Sequence, residues 1–362
     1  MKFGNALYEE DIRKAAGAGI PWERLKGRSV LIAGAAGMLG KVMTDVLMYK
    51  NENDGLDCRI YASGRNRHRA EQRFGREYFE NPHFTFLEWD MADKAPDGLP
   101  QMDFLLGMAS NTHPLAYAAR PIETIITNIY GTKNLLDLCV RQQGGRLVFL
   151  SSVEIYGENR GDTQLFDEGY MGFLDCNTLR AGYPESKRCG ESLCQAYFRE
   201  KGTDFITVRL PRLFGPTLLE EDSKAVSQFI HRALRQEDIV LKSSGSQYYS
   251  FLYAMDAVTG ILAVMLAGKT GEAYNLASED NDATLKSMAE AAAGAVGKKV
   301  IYELPDEDEK AGYSTATVAR LDGRKAMGLG WKPIYHAADA LERTLHIMGE
   351  GIEGTVHHGR GH

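Results

Sequence analysis

Three glycines at a fixed spacing constrain the fold of this chain more than any other feature. Residues 30–33 are a short apolar run of the kind that forms a buried parallel strand. Gly34, Gly37 and Gly40 follow this run, and apolar residues at helical spacing continue over 41–49. A strand, a glycine-rich turn and a helix in this order predict a phosphate-binding unit, because the start of the helix presents free N–H groups and the positive end of its dipole.

Each glycine has its own physical role in a unit of this kind. Gly34 permits the tight turn, Gly37 lets the backbone approach a pyrophosphate, and Gly40 lets the helix pack closely on the strand. The backbone between the glycines is expected to line a bound dinucleotide, at Ala36, Met38 and Leu39. The spacing is G-x-x-G-x-x-G rather than G-x-G-x-x-G, and a purely structural turn is the alternative.

Strand-like and helix-like segments alternate over the first half of the chain. The predicted strands are 30–33, 58–62, 84–89, 102–108, 146–150 and 205–210. The predicted helices are 41–49, 67–79, a long one from just after Pro114 to Leu138, and 183–201. This alternation predicts an α/β fold with a doubly wound parallel sheet, the Rossmann arrangement.

The chain is expected to divide into four parts. Residues 1–27 are predicted to form an N-terminal helical extension, and 28–215 mainly the dinucleotide-binding domain. Residues 216–350 are predicted to form mainly a smaller C-terminal substrate-binding lobe, with a flexible tail over 351–362. The elements predicted in this lobe are helices over 225–235, from 257, over 285–296 and over 337–348, and strands over 239–242 and 274–276.

Composition argues against several classes of function. The net charge of −7 does not indicate a nucleic-acid or anionic-membrane partner. The longest apolar stretches, such as 258–267, are too short to span a bilayer, and the first residues lack the apolar core of a signal peptide. The five cysteines form an odd set without a C-x-x-C pair, so reduced thiols and no metal site are expected. These features together predict a cytoplasmic location.

A serine at a strand end and a tyrosine–lysine pair are the candidate catalytic residues. Ser152 lies just past a predicted strand, on the sheet edge that binds ligands in open α/β folds. Tyr183 and Lys187 are four residues apart, which places them on one face of a helix. An ammonium near the phenol would lower its pKa, so that Tyr183 acts as a base on a substrate oxygen that Ser152 also contacts. Taken alone, this spacing also fits a packed tyrosine beside a solvated lysine.

With these motifs in place, the chain resembles the extended short-chain dehydrogenase/reductases that modify nucleotide-sugars. The resemblance spans nearly all of 29–348 and rests on ordered matches at the glycine turn, Asp90, Asn128-x-x-Gly131-Thr132, 151–157, Tyr183-x-x-x-Lys187, 209–216 and 329–333. Within the family the chain is similar to UDP-glucuronate decarboxylases, at 109–110, 121–124, Glu154, Arg180 and 245–247 ahead of Phe251.

The resemblance implies an NAD(P)-dependent enzyme with Ser152, Tyr183 and Lys187 as its catalytic set. Hydride would leave C4 of the sugar, and the 4-keto sugar would then permit epimerisation, decarboxylation or loss of water before the hydride returns. An epimerase is expected first, a decarboxylase is the nearest alternative, and a dehydratase or reductase follows. A dinucleotide-binding regulatory protein is the non-enzymatic alternative, which the presence of all three catalytic residues disfavours.

The resemblance also implies which residues contact each ligand. The expected cofactor contacts are the glycine turn, Ser63, Arg65, Asn66, Asp90 and Met91 beside the adenine, Ala109, Ser110, Asn128, Leu150, Tyr183, Lys187, Leu210 and Arg212. The expected contacts of a nucleotide-diphosphate sugar are Ser110, Thr112, Ser152, Glu154, Arg180, Arg212, Phe229 and Tyr249. Core packing is the alternative for Phe229, and a structural carboxylate beside the site is the alternative for Glu154, the candidate second acid or base. Family members often pair through the helices of 114–140 and 183–201, which implies a homodimer.

Three positions depart from the family pattern. Val153 stands where the dehydratases carry an aspartate, which disfavours a 4,6-dehydratase. Tyr249 replaces the arginine of the decarboxylases' Gln-x-Arg-Ser-Phe segment, which weakens the case for an anionic uronate. Arg212 replaces an asparagine and offers positive charge from another direction.

The choice between NADP and NAD depends on the end of the second strand. A carboxylate there would accept hydrogen bonds from both ribose hydroxyls and favour NAD. This chain has Ser63, Gly64, Arg65 and Asn66 instead, and Arg65, with Arg67 or Arg69, is suited to pair with a 2′-phosphate. NADP is therefore slightly favoured, with NAD and a surface role for these arginines as the alternatives.

Overall fold

The computed structural model describes residues 3–110, 119–303 and 316–356. Its strands are β1 Ser29–Ala33, β2 Arg59–Gly64, β3 Phe84–Glu88, β4 Phe104–Gly107, β5 Arg146–Ser152, β6 Phe205–Leu210, β7 Arg212–Phe214, β8 Ile239–Leu241, β9 Tyr248–Tyr253, β10 Ala273–Asn275, β11 Asp282–Thr284, β12 Val300–Tyr302 and β13 Val318–Ala319. Its helices are α1 Ala6–Ala16, α2 Met38–Asp54, α3 Arg67–Phe74, α4 Arg76–Phe79, α5 Pro121–Gln142, α6 Gly182–Lys201, α7 Ala225–Leu234, α8 Ala254–Ala267, α9 Leu285–Ala295, α10 Arg324–Met327 and α11 Ala337–Val356.

Seven parallel strands form the central sheet. Their spatial order is β3-β2-β1-β4-β5-β6-β10, and each hydrogen-bonded pair runs parallel. The order reverses direction between β1 and β4, which makes that point the expected ligand crevice of a doubly wound sheet. The predicted fold class is therefore confirmed.

The apolar run of β1 is explained by burial on both sides of the sheet. Val30 and Ile32 pack in one core with α2 and α8, whereas Leu31 and Ala33 pack in a second core with α5 and α6. Successive strand residues point to opposite faces, so a strand covered on both faces is apolar at every position. This double coverage places β1 in the middle of the molecule and its carboxyl end in the crevice.

Two features of the chain differ from the sequence-based expectation. The helix predicted over 67–79 is interrupted, because Gly75 has a φ of +80° and separates α3 from α4. A second sheet, centred on β9, was not predicted: β9 pairs with β7, β11 and β13. β9 is nearly all buried and therefore shows none of the polar–apolar alternation that marks a half-buried strand.

Helix α1 is attached to the rest of the protein by buried carboxylates. Asp11 is fully buried and accepts hydrogen bonds from the hydroxyl groups of Tyr253 and Tyr335 and from Arg343 Nε. On the next turn, Tyr8 donates to Asp45 of α2 at 2.6 Å. α1 is thereby connected both to the helix that follows the glycine turn and to the C-terminal helix α11.

None of the helices in the described parts of the chain is both long and apolar enough to cross a membrane. Helix α11 continues to Val356, beyond the predicted end at Met348. Residues 357–362 of the predicted tail lie outside the described part of the structure.

Replacing Asp11 with alanine tests this attachment. Asp11→Ala leaves one buried hydroxyl group, one half-buried hydroxyl group and a guanidinium without their shared acceptor. We expect a loss of about 3 kcal/mol or more in the free energy of unfolding, measured by urea titration. The control is Glu71→Ala, which removes an exposed ion pair with Arg67 on one face of α3 and should cost about 1 kcal/mol or less. Equal losses in the two variants would contradict this role of Asp11.

Candidate active site

The carboxyl ends of the parallel strands bring the predicted site residues to one edge of the sheet. Ala33 is in register with Ser63 on one side and with Gly107 on the other. Ser152 is in register with Leu210. Residues that are far apart in sequence therefore meet in the crevice, as expected for parallel strands.

The glycine turn has the shape of a phosphate cradle. Gly34 has a φ of +87°, and a Cβ at this position would lie 2.7 Å from the backbone of Ala109. A Cβ on residue 40 would lie 2.5 Å from the carbonyl oxygen of Gly34. Helix α2 begins at Met38, and its N-cap Gly37 provides no side-chain hydrogen bond, so the amides of the first helical turn have no acceptor within the helix. These features fit the diphosphate of a dinucleotide.

Asp90, Met91 and Asn66 hold the backbone at the expected adenine end. Asn66 Oδ1 accepts from the backbone N–H of Arg69 at 2.8 Å and caps α3. Asp90 Oδ1 accepts from the N–H of Ala92 at 2.9 Å. Met91 is buried and packs against Gly131 of α5, where any added Cβ would clash with it. The structure therefore brings these residues to the crevice and gives Asn66 a structural task.

Arg65 is ion-paired in the crevice. Its Nη1 lies 3.0 Å from Glu123 Oε1 at the start of α5 and 3.9 Å from Asp90 Oδ2. The arginines proposed to assist it have other partners: Arg67 pairs with Glu71 of its own helix, and Arg69 pairs with Glu221. Sequence reasoning placed Glu123 only in the family match at 121–124 and gave it no role, since nothing in the local sequence indicates a partner 58 residues away.

Ser152, Tyr183 and Lys187 meet at the other end of the crevice. The Ser152 hydroxyl is hydrogen-bonded to the Tyr183 phenol and accepts from the N–H of Glu154 at 3.2 Å. Lys187 Nζ donates to the carbonyl oxygen of Leu150 at 2.8 Å and lies 5.9 Å from the centre of the Tyr183 ring. The three predicted catalytic residues are thus brought together by β5 and by the first two turns of α6.

The electrostatic relation between Tyr183 and Lys187 differs from the expectation. Burial raises the pKa of the Tyr183 phenol to about 12, although the hydrogen bond with Ser152 and the charge of Arg180 act to lower it. Burial also lowers the pKa of the Lys187 ammonium to about 8, although the charge of Glu191 raises it. The expected lowering of the phenol pKa by Lys187 is therefore not found in the free protein, because desolvation is the larger effect for both groups.

A buried hydrogen-bond network fixes the turn that carries Tyr183. Asn128 of α5 accepts from the Ser110 hydroxyl at 2.7 Å and donates to the Ser186 hydroxyl at 2.9 Å. Ser186 in turn donates to the carbonyl oxygen of Tyr183 at 2.8 Å. Sequence reasoning found Asn128 and Ser110 but missed Ser186, which lies inside the Tyr-x-x-x-Lys motif.

Two arginines converge on Glu154 beside Tyr183. Arg180 Nη2 lies 2.8 Å from one carboxylate oxygen of Glu154, and Arg212 Nη2 lies 3.5 Å from the other. The Arg212 guanidinium also lies over the ring of Tyr249, 3.6 Å from its centre. A cavity of about 240 Å³ opens here, and its lining includes Val153, Glu154, Phe173, Arg180, Pro184 and Arg212.

Of the predicted substrate contacts, Glu154, Arg180 and Arg212 line this cavity, whereas Ser110, Ser152, Phe229 and Tyr249 are not among its lining residues. Phe229 is 2% exposed and packs in the hydrophobic core, as its structural alternative predicted. Thr112 lies outside the described residues. Tyr249 reaches the site through its ring, while its hydroxyl donates to the carbonyl oxygen of Ala316 at 2.7 Å.

The comparisons with known proteins agree with this geometry. The model of the NAD dependent epimerase/dehydratase family matches residues 30–277. UDP-glucuronic acid decarboxylase 1 of Xenopus tropicalis is 30% identical over 333 residues, which are 90% of this chain and 73% of that protein. UDP-glucuronic acid decarboxylase 3 of Arabidopsis thaliana is 28% identical and is covered over 84% of both chains. The chain belongs to the NAD-dependent epimerase/dehydratase family, a family of nucleotide-sugar enzymes.

Solved structures share the fold. A UDP-glucuronic acid 4-epimerase from Bacillus cereus, in complex with UDP-glucuronic acid and NAD, superposes with a TM-score of 0.74 at 18% identity, over 89% of this chain and 99% of that one. A dTDP-glucose 4,6-dehydratase from Streptomyces venezuelae, with NAD bound, superposes with a TM-score of 0.73 at 22% identity, over 90% and 98%.

The buried Lys187 predicts a pH-dependent stability. Its ammonium has a pKa of about 8 in the folded chain and near 10.4 when unfolded. The unfolded chain therefore binds the extra proton between these values, so stability rises as the pH rises through this window. Relative to Lys187→Met, the dinucleotide-free wild type should gain roughly 3 kcal/mol in unfolding free energy between pH 7 and pH 10.5.

Urea titrations of both proteins at the two pH values measure this gain. The control is Lys133→Met, which removes a half-exposed lysine on α5 and should show no such gain. A constant difference between wild type and Lys187→Met across this range would contradict the lowered pKa.

Proposed function

We propose that the chain is a nucleotide-sugar enzyme that oxidises its substrate transiently at C4. Tyr183 exchanges the proton of the C4 hydroxyl, and Ser152 contacts the same oxygen. Lys187 holds the end of β5 through the carbonyl oxygen of Leu150. When bound, an oxidised nicotinamide dinucleotide supplies the hydride acceptor and a positive charge that lowers the pKa of the phenol. The glycine turn is proposed to hold its phosphates.

The observation that carries the choice of substrate is the convergence of Arg180 and Arg212 on Glu154. These three side chains are each about one-fifth exposed or less. Two guanidinium groups lie within ion-pair distance of one carboxylate, so the three side chains together carry a net charge of +1. A cavity whose lining carries a net positive charge attracts a ligand of the opposite charge. The cavity is therefore suited to an anionic group, and the carboxylate of a hexuronate fits this requirement.

Arg212 also compensates for the arginine that is missing at position 249. β7 pairs in parallel with β9, which places Arg212 opposite Phe251, close to Tyr249. The guanidinium that the decarboxylases carry on the segment around 249 is here supplied from the neighbouring strand and lies over the tyrosine ring. The site therefore has a guanidinium close to Tyr249, although this guanidinium belongs to β7 and not to β9.

Decarboxylation of a nucleotide-hexuronate is the outcome that these observations support best. Oxidation at C4 places a ketone β to the C5 carboxylate. The bond between C5 and the carboxyl carbon then breaks, and carbon dioxide leaves. The electron pair of this bond moves toward the C4 ketone to give an enolate. C5 is then protonated, and the hydride returns to C4. The similarity to UDP-glucuronic acid decarboxylases over 90% of the chain supports this proposal.

Epimerisation at C4 is the second candidate. It is favoured by Tyr249, because the decarboxylase pattern is broken at this position. A dehydratase is disfavoured, because Val153 has no proton to give to a leaving hydroxyl and lines the cavity where such an acid would be needed.

Products from a panel of substrates distinguish these outcomes. We expect loss of carbon dioxide from UDP-glucuronate, detected by mass spectrometry and NMR, and no change in UDP-glucose or dTDP-glucose. An inverted C4 at unchanged mass would identify the epimerase, and loss of water would contradict both candidates.

The Arg212→Gln variant tests the contact with the anionic group. It should reduce kcat/KM for UDP-glucuronate about tenfold or more, because a charge-assisted contact is lost.

Tyr183→Phe tests the catalytic role of the phenol. This variant should lose turnover by about 100-fold or more, since general acid–base groups contribute at least that much. Dinucleotide affinity, measured by isothermal titration calorimetry, should stay within about twofold, which separates loss of chemistry from loss of folding. Unchanged turnover would refute the assignment.

We propose residues 28–215 as mainly the dinucleotide-binding part and 216–350 as mainly the substrate lobe. The cofactor is a nicotinamide dinucleotide, in agreement with the NAD-dependent family. The sequence predicts a slight preference for NADP, but that preference requires Arg65 to leave its carboxylate partners, and the paired arginine favours NAD instead.

We also propose a homodimer formed through α5 and α6. Support comes from Ile122, Ile126 and Tyr130, which are exposed at intervals of four residues along α5 and so form an apolar stripe on one helix face. Sedimentation equilibrium of the full chain measures this directly, and a monomer at micromolar concentration would refute it. The cytoplasm is the proposed location, since the cysteines are free and three of them are buried.

A further inference from the structure

Arg65 occupies the position that decides which dinucleotide the crevice accepts. It follows the last residue of β2, and the adenosine ribose lies at the end of the second strand in dinucleotide-binding folds. Its guanidinium is paired with carboxylates, because Glu123 and Asp90 both lie within ion-pair distance. The contact with Glu123 is the shorter one and is a hydrogen bond of 3.0 Å.

Glu123 reaches Arg65 from a different element of the fold. It lies in the first turn of α5, which packs on the opposite sheet face from α2. Its second oxygen lies 3.5 Å from Arg120. Two arginines and two carboxylates therefore balance at this point, and no net positive charge remains for a phosphate.

We propose that Glu123 is a specificity-determining residue that holds Arg65 and makes the crevice select NAD over NADP. The proposal rests on the dinucleotide site of the proposed function. The end of β2 lacks the carboxylate that favours NAD. Glu123 of α5, 58 residues after Arg65, provides a carboxylate at this place instead.

The charge of the 2′-phosphate is the physical basis of this selection. A 2′-phosphate carries between one and two negative charges near neutral pH. To pair with Arg65 it must displace Glu123 and then lie beside that carboxylate and the one of Asp90, which repel it. The 2′-hydroxyl of NAD carries no charge, is not repelled, and can donate a hydrogen bond to a carboxylate.

Binding of NAD and NADP to the free enzyme tests the proposal without any turnover. Dissociation constants are measured by isothermal titration calorimetry for the wild type, Glu123→Gln, and Glu123→Gln combined with Arg65→Ala. The wild type should bind NAD more tightly than NADP. Glu123→Gln should improve NADP affinity roughly fivefold, because an exposed ion pair is worth that much at most, and should change NAD affinity less than about twofold. Removing Arg65 as well should abolish the gain.

A matched control is available on the neighbouring helix. Glu71→Gln makes the same chemical change to a carboxylate that pairs with Arg67 within α3, and it should leave the ratio of the two affinities unchanged. Glu123 is one-third exposed, so its replacement should not impair folding.

Two results would overturn the proposal: a wild type that binds NADP more tightly than NAD, or a Glu123→Gln variant whose affinity ratio equals that of the wild type. Failure of the folded wild type to bind either dinucleotide would instead refute the proposed function itself.

Discussion

The close approach of α2 to the end of β1 is the contact on which the rest of the site depends. The carbonyl oxygen of Gly34 occupies the space that a Cβ on residue 40 would need, so only glycine lets the helix start this near the strand. Because the helix starts there, its free amides face the crevice at the point where the strand order reverses. The loop after β4 closes the same turn, since the backbone of Ala109 lies against Gly34. One steric constraint thus positions three segments of the crevice.

Desolvation governs the chemistry at the other end of the crevice. Tyr183 and Lys187 are both buried, and burial moves their pKa values toward the neutral forms, upward for the phenol and downward for the ammonium. Near neutral pH the phenol therefore keeps its proton, while the ammonium is still charged but loses its proton more readily than an exposed lysine. Under the proposed function, a ligand that brings positive charge into the crevice lowers the pKa of the phenol, which would link proton transfer to occupancy of the crevice. The network of Asn128 and Ser186 keeps the phenol in place until then.

The charged residues of the site are arranged as competing pairs. Glu154 is shared by Arg180 and Arg212, and Arg65 is shared by Glu123 and Asp90. In the first group positive charge is in excess, whereas in the second group the positive charge is already used. Under the proposed function, the net positive charge of the first group favours an anionic group in the cavity beside Tyr183, and the balanced second group favours an uncharged ribose at the adenosine end.

The sequence by itself determined the fold class and indicated the candidate reacting groups. Both are encoded locally: apolar runs predict buried strands, Gly34 predicts a tight turn, and the spacing of Tyr183 and Lys187 predicts a shared helix face. Only the tertiary structure decided how the charges are distributed, because ion pairs such as Arg65–Glu123 and Arg212–Glu154 join segments that are distant in sequence. Arg212 lies over Tyr249 because β7 pairs with β9. The sequence did not predict β9, since this strand lacks polar–apolar alternation. Electrostatic selectivity depends on distances of a few ångströms between separate elements, and such distances exist only after the chain has folded.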